Sequence, residues 1–206
     1  MALHHSPRIV TDGLVLALDA GDRNSYVSGS ATWRDLSTSA NNGSLVSGPT
    51  YDSSNGGSIV FNGINQYTIS TYEHSITGSN PWTISVWANV SSSESGSGRQ
   101  GWLIWEGGTN QSTNQLIAMG INNGYIEMAH WGANDVVYPN AIVTFDNWSM
   151  YTCTYDGITE RIYVNGIQRG SGLFTLLTTT GSWYLCSRAN VTEFLNSKIA
   201  TFNVYY

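Results

Sequence analysis

The stretch 147–170 reads NWSMYTCTYDGITERIYVNGIQRG, and it decides the fold of the chain. Two runs of β-favouring residues, at 148–155 and 161–164, flank Asp156-Gly157, and Asn165-Gly166 follows the second run. Both dipeptides readily supply the positive φ angles of tight hairpin turns. The stretch therefore predicts a twisted antiparallel ribbon. Such a ribbon needs a further layer against which it can bury one face.

Side chains alternate between the two faces of the first run. One face carries Ser149, Tyr151, Cys153 and Tyr155, and the opposite face carries Met150, Thr152 and Thr154. Most aromatic side chains in a sandwich lie in its interior. We therefore interpret the large residues of the ribbon as core rather than as a binding site, namely Trp148, Tyr151, Cys153, Tyr155 and Tyr163.

The rest of the chain supplies strands for the other layer. Predicted strands lie at 14–18, 58–61, 66–70, 82–90, 101–105, 116–121, 125–131, 136–138, 142–145, 148–155, 161–164, 173–177, 182–186 and 199–205. The Ser/Asn/Gly-rich segment 32–57 is predicted as a loop excursion held to the core by a few large residues, and 190–196 as one helical turn. Strands at short spacing with turn signals between them predict a sandwich or barrel. We expect an N-terminal arm over residues 1–7 and a single all-β domain over 8–206, with little or no helix.

Composition excludes several classes of partner. Charged residues make up 11% of the 206 residues, the net charge is −6, and Lys198 is the sole lysine. A nucleic-acid groove needs a basic stripe, so nucleic acid is not an expected partner.

No apolar run has the length of a signal peptide or a membrane span, which predicts a protein made in the cytoplasm. Cys153 and Cys186 are expected as two reduced core thiols, and a single disulfide is the alternative.

Eight pieces of the chain, in order, carry a family resemblance. They are IVTDGLVLALDAG, TWRDLS, NNGSL, GGSIVFNGINQY, WTISVWANV, NWSMYTCTYDG, RIYVNG and KIATFNVYY. Together they resemble the laminin-G-like branch of the concanavalin A-like lectin/glucanase superfamily. The resemblance implies a jelly-roll sandwich of two curved antiparallel sheets.

The first three pieces are similar to virion proteins of tailed bacteriophages, especially those of cyanobacteria. This similarity implies a structural protein at the virion surface, in the capsid, tail, baseplate or fibre. The expected partners are other virion proteins, further copies of the chain and cell-surface glycans. A carbohydrate-binding module acting in host recognition is the alternative, and a glycoside hydrolase ranks third.

The chain departs from the family at positions that bear on metal binding. Relatives carry carboxylates where this chain has Asn62 and Gln66. Calcium requires about six to eight oxygen ligands with several carboxylates among them, so no cofactor is expected from a site of the family type. The remaining candidate ligands are Asp19, Asp22 and Asp35, for which solvated turn residues are the alternative interpretation.

Catalysis is not expected. Retaining glucanases need two carboxylates about 5–5.5 Å apart, and the family's Glu-x-Asp-x-x-Glu string is absent from the sequence. Glu106 and Glu127 alone lie in or at the end of plausible central strands, from which they are able to approach each other across a sheet.

A glycan site is predicted in the segment HWGANDVVYPN, residues 130–140. Sugars stack on exposed aromatic rings and bond to amide and carboxylate groups at loop tips. The alternative is a core tryptophan followed by a solvated turn. The candidate residues are Trp105, His130, Trp131, Asn134, Asp135 and Tyr138.

Overall fold

The computed structural model describes residues 9–73, 76–107, 112–132, 135–189 and 192–206, which form two antiparallel β-sheets. The predicted arm at residues 1–7 lies outside the described residues. The strands are β1 (Leu14–Asp19), β2 (Thr32–Trp33), β3 (Gly43–Val46), β4 (Thr50–Asp52), β5 (Ser58–Asn62), β6 (Tyr67–Ser70), β7 (Trp82–Val90), β8 (Arg99–Glu106), β9 (Ile117–Asn122), β10 (Tyr125–Ala129), β11 (Val136–Ile142), β12 (Trp148–Tyr155), β13 (Thr159–Val164), β14 (Ile167–Leu173), β15 (Trp183–Leu185) and β16 (Asn196–Tyr205). Ser54–Gly56 and Ser92–Glu94 each form a single 3₁₀ turn. The prediction of an all-β sandwich is confirmed.

The first sheet has the strand order β14-β13-β12-β7-β16-β5-β4, and β1 pairs with the second half of β16. The predicted ribbon forms β12, β13 and β14. In its second turn Asn165 and Gly166 have φ values of 52° and 77°, the pair of positive angles expected of a type I′ hairpin. In its first turn the side chain of Asp156 accepts the N–H groups of Ile158 and Thr159, at 3.0 and 2.7 Å.

Strand β7 lies between β12 and β16 and shows strict alternation. Its inward residues are buried and apolar: Trp82, Ile84, Val86, Ala88 and Val90. Its outward residues are partly exposed: Thr83, Ser85, Trp87 and Asn89. A period of two is the expected pattern for a strand with one face in the core and the other uncovered.

The second sheet has the strand order β11-β10-β9-β8-β15-β6-β3-β2. The register of β8 against β9 shifts between Trp102 and Ile104. This bulge puts Trp102 and Trp105 together in a small cluster on the outer face, while Leu103 and Ile104 join the main core between the sheets. A Cβ added at Gly120, which faces Trp102 across the ladder, would come within 2.9 Å of the indole ring.

The main core lies between the sheets and contains residues of strands from both of them. Cys153 and Cys186 are free and fully buried in it, in agreement with the expectation of reduced thiols. Burial raises the pKa of Cys153 well above its usual value, and burial raises the pKa of Cys186 to about 12. Within the described ranges, no helix combines the length and the apolar character needed to cross a membrane.

Several predicted elements differ from the structure. Segment 32–57 is not only loop, since β2, β3 and β4 form within it. The predicted strand at 173–177 is wrong beyond Leu173, where β14 ends, and the predicted strand at 142–145 is the end of β11 followed by a turn. Residues 190 and 191 of the predicted helical turn lie outside the described part, and 192–196 form loop and the start of β16.

Candidate functional site

The six residues predicted as a glycan site do not form one surface. Asn134 lies outside the described residues. Trp105 is only 2% exposed, Tyr138 is 4% exposed and His130 is completely buried. These three side chains are therefore inaccessible to a sugar ring, and predicting them as contact residues was wrong for that reason. Trp131 and Asp135 remain at the surface.

Asp135 organises the turn after β10. One oxygen of its carboxylate accepts the backbone N–H groups of His130 and Trp131, at 3.1 and 3.2 Å. Trp131 has a φ of 71°, a left-handed conformation that a bulky residue rarely adopts. The two hydrogen bonds that the Asp135 carboxylate accepts hold this turn in place, so the carboxylate has a structural role here.

The indole of Trp131 lies half-buried on the cluster around Trp105, with ring centroids 6.3 Å apart. The guanidinium of Arg188 lies 4.9 Å from the ring centroids of both tryptophans. Arg188 also pairs with Glu193 at 3.3 Å, and Glu193 accepts the indole N–H of Trp102. Arginine and aromatic rings thus cover the outer face of β8 and leave one tryptophan partly exposed.

Two buried residues of the predicted set, His130 and Tyr138, form a polar network with Glu160 between the two sheets. His130 Nε2 lies 2.8 Å from Glu160 Oε2, and both side chains are fully buried. The hydroxyl of Tyr138 donates to Glu160 Oε1 at 2.8 Å, and His130 Nδ1 lies 3.0 Å from the carbonyl of Leu116. Burial opposes protonation of the imidazole, but the Glu160 carboxylate and the Leu116 carbonyl raise the pKa of His130 above its usual value. The network ties β11 and the end of β10 to β13.

The three candidate metal ligands are engaged by their own loops. Asp19 accepts the N–H of Gly21, and Asp22 accepts the N–H of Asn24, both at 2.8 Å. Asp35 accepts four hydrogen bonds, from the N–H groups of Ala17, Ser37 and Asn41 and from the hydroxyl of Ser37. Across the described ranges, no group of three or more His, Cys, Asp or Glu side chains is placed to hold a metal ion.

The two carboxylates considered for catalysis lie on opposite faces of the second sheet. Glu127 shares a row with Gly120 and Trp102, on the outer face, where it forms an ion pair with Arg99. Glu106 is opposite Ile117, whose side chain lies in the main core, and it accepts the N–H of that residue at 3.2 Å. A sheet thus separates the two groups, and they do not form an acid–base pair across a shared cleft.

The outer face of the first sheet presents a different arrangement. Trp87 on β7 and Trp148 on β12 are diagonal neighbours, with rings 9° from parallel and centroids 6.3 Å apart. Both indoles are partly exposed, and Met150 beside them is 42% exposed. We call Trp87 and Trp148 the aromatic pair. The interpretation of Trp148 as a core residue was wrong, and so was that of Tyr163, which also lies partly exposed on this face.

Short polar side chains cover the face beside the aromatic pair. Thr152, Ser85 and Asn203 stand side by side on β12, β7 and β16. We call these three residues the polar row. Hydroxyl and amide groups both donate and accept hydrogen bonds, and rings with accessible faces stack on sugars. The face therefore combines both kinds of contact that a carbohydrate uses.

A groove opens at the end of the same face. It has a volume of about 520 Å³ and is lined by residues that include Asp12, Pro81, Thr83, Thr154, Asp156 and Tyr206. Ligand pockets usually measure about 300–1,000 Å³. Asp156 forms a 2.7 Å ion pair with Arg161. The guanidinium of Arg161 and the N–H groups of Thr159 and Ile158 lower the pKa of Asp156 to about 2.

The sequence contains a signal for this surface. In WTISVWANV the residues at even positions from 82 to 90 are the apolar ones that fill the core. Trp87 is out of phase with them, so alternation alone directs it outward. Trp148 and Met150 are likewise two residues apart, so alternation places Trp148 on the face of Met150 and opposite to that of Tyr151.

Comparison with protein families finds one match. The family model described as the concanavalin A-like lectin/glucanases superfamily, of laminin G type, matches residues 61–206. Among curated proteins, none matches the chain.

Solved structures with the same fold share little sequence with the chain. The botulinum neurotoxin serotype D binding domain is 15% identical, with a TM-score of 0.71, and the match covers 96% of this chain and 49% of that one. A Trypanosoma rangeli sialidase is 13% identical, with a TM-score of 0.69 and coverage of 99% and 33%. Domain 4 of an extracellular arabinanase from Geobacillus stearothermophilus, solved with arabinotriose, is 12% identical, with a TM-score of 0.68 and coverage of 95% and 93%. The chain spans about half the length of the toxin domain and a third of the sialidase.

Proposed function

The chain belongs to the concanavalin A-like lectin/glucanase superfamily, and we propose that it is a non-enzymatic glycan-binding domain carried at the surface of a bacteriophage virion. One observation supports glycan binding above all others. The parallel Trp87 and Trp148 rings lie partly exposed on the outer face of the first sheet, next to a row of hydroxyl and amide groups. Exposed ring faces combined with short hydrogen-bonding side chains suit the alternating apolar and polar surfaces of a sugar.

The absence of catalysis is part of the proposal. It is supported by the positions of Glu106 and Glu127 on opposite faces of a sheet, since a retaining glycosidase needs its carboxylates about 5–5.5 Å apart across one substrate. Incubation of the protein with any oligosaccharide it binds should leave that oligosaccharide intact. Release of products that is lost in a Glu106→Gln variant would contradict this part of the proposal.

Glycan binding is tested on a glycan array with three variants. Trp87→Ala and Trp148→Ala should each lower the affinity on the order of tenfold, because loss of one stacked ring removes an anchor of the contact. Trp131→Ala is the matched control, because it removes a half-buried tryptophan from the opposite sheet. Its binding should equal that of the wild type. Binding that fails in Trp131→Ala and survives in the other two variants would instead locate the site at residues 131–135.

The virion role rests on a different observation, the similarity of IVTDGLVLALDA, TWRDLS and NNGSL to tailed-phage virion proteins. We propose that the partners in the particle are other virion proteins and further copies of the chain. The domain should copurify with phage particles through a density gradient, and mass spectrometry should give its copy number. Hundreds of copies indicate capsid decoration, and a handful indicate tail, baseplate or fibre. Its absence from purified particles would refute the virion role and leave glycan binding to be judged separately.

A further inference from the structure

We infer that the aromatic pair, the polar row and the end groove form one continuous channel, and that this channel takes an extended, uncharged oligosaccharide. The inference rests on the proposed glycan binding and specifies its site and ligand class. Its evidence is the arrangement of side chains on β12, β7 and β16.

The three parts share one face of the first sheet. Along β7, Thr83 lines the groove, Ser85 belongs to the polar row and Trp87 to the aromatic pair. Alternate residues of a strand point to the same side, so all three side chains project from the same surface. At about 3.3 Å per residue, Thr83 and Trp87 are separated by roughly 13 Å along the strand. A ligand that contacts both ends must therefore be longer than a single sugar.

The side chains between the two ends are short. Thr152, Ser85 and Asn203 lie directly opposite one another on neighbouring strands. The indoles of the aromatic pair stand higher at one end, and Tyr205 and Tyr206 border the groove at the other. The polar row is therefore the shallow floor of the channel, and its hydroxyl and amide groups face outward, where a ligand in the channel would lie. An extended chain with hydroxyl groups along its length fits such a floor.

The charges along the channel select against acidic ligands. Arg161 and Lys198 are cations on this face, and they are paired with Asp156 and Asp52, at 2.7 and 2.8 Å. Asp12 adds a further carboxylate to the groove wall. A uronate, sulfate or sialate group would meet carboxylates there, and like charges brought together across an interface weaken binding. Ligands without charge meet no such penalty.

The experiment uses two sets of probes. Isothermal titration measures the affinity for uncharged oligosaccharides of two to six residues, built from glucose, mannose, galactose or arabinose, and for uronate-containing counterparts of the same lengths. The affinity for an uncharged series should rise roughly tenfold from the disaccharide to the length that spans the channel, which corresponds to one or two added hydrogen bonds. The uronate-containing series should bind at least about tenfold more weakly.

One variant obstructs the floor and another is its control. Ser85→Phe places a ring in the polar row and should abolish the gain in affinity with length. Thr50→Phe makes an equivalent change on β4, at the far edge of the same sheet, and should bind every probe as the wild type does. Circular dichroism and the melting temperature verify that both variants fold.

The possible failures are distinguishable. Trp87-dependent binding with no dependence on length, no effect of Ser85→Phe, or equal affinity for uronate-containing probes would overturn the channel and leave the proposed function intact. If no oligosaccharide binds, or if Trp87→Ala has no effect on binding, the proposed function itself fails, and the inference fails with it.

Discussion

The buried pair of His130 and Glu160 predicts a specific dependence of stability on pH. Both side chains are fully buried, with Nε2 and Oε2 2.8 Å apart, and the hydroxyl of Tyr138 donates to the other oxygen of Glu160. Cys153 and Asp135 are the further titratable groups that interact with this pair. Glu160→Gln keeps the size of the side chain and removes its charge, which leaves the buried imidazole without its counter-charge.

The sign follows from the direction of the pKa shift. The pKa of His130 is raised above the value of 6.5 that applies to an unfolded imidazole. The contribution of this group to stability is therefore complete below pH 6.5 and is lost as the pH rises through the folded-state pKa. Removal of one partner from a buried ion pair costs about 3–5 kcal/mol. We expect about 3 kcal/mol for Glu160→Gln below pH 6.5, at the low end because the imidazole can release its proton, and a smaller cost at higher pH.

Urea unfolding between pH 5.5 and 9 measures this prediction. The free energy of unfolding of the wild type should fall as the pH rises above 6.5, and the curve of Glu160→Gln should lie lower and be flatter in that range. Tyr138→Phe is the control, because it removes one neutral donor, should cost about 1 kcal/mol and should keep the slope with pH. A slope that is the same in Glu160→Gln and in the wild type would refute the pairing as the origin of the pH dependence.

Three further predictions concern other parts of the domain. Gly170→Ala should destabilise the protein by about 1–3 kcal/mol in urea unfolding, because its Cβ would lie 2.2 Å from Cδ1 of Tyr138; unchanged stability would show that β11 shifts freely over β14. Asp35→Ala should cost about 2 kcal/mol because it leaves the partly buried N–H groups of Ala17, Ser37 and Asn41 without this acceptor, and a melting temperature equal to that of the wild type would contradict this. A thiol reagent at pH 8 should label neither Cys153 nor Cys186 in the native protein and both in denaturant, because burial raises the pKa of each thiol; labelling of native protein would show that the core opens.

The sequence was sufficient for the fold because both ribbon and strands follow local rules. Alternation in WTISVWANV predicts β7, and Asn165-Gly166 predicts a turn that the structure confirms. Strands β2, β3 and β4 were not predicted because they are only two to four residues long and lie in a segment rich in Ser, Asn and Gly. The pairing of β3 with β6 and of β4 with β5 supplies the hydrogen bonds that the local sequence does not specify.

The candidate site was less predictable, for two different reasons. Alternation with Met150 predicts that Trp148 points outward, whereas the general tendency of tryptophan toward the core predicts the opposite. The structure follows the alternation. The burial of His130 was not available from local sequence, because its partner Glu160 lies 30 positions away on the opposite sheet. Only the pairing of strands brings those two residues together, and that pairing is a property of the whole fold.

The position of β16 has a consequence for the order in which the domain folds. This strand comes last in the sequence, yet it lies within the first sheet, between β7 on one side and β5 with β1 on the other. Until it inserts, β14-β13-β12-β7 and β5-β4 are separate pieces. The backbone N–H and C=O groups along the edges of β7 and β5 then lack their partners in β16. Contacts between residues as distant as Leu14 and Tyr205 close late and slowly, typically in milliseconds to seconds for such β topologies. Association between chains through those open edges is therefore most probable before β16 is in place, and β16 both completes the sheet and ends that exposure.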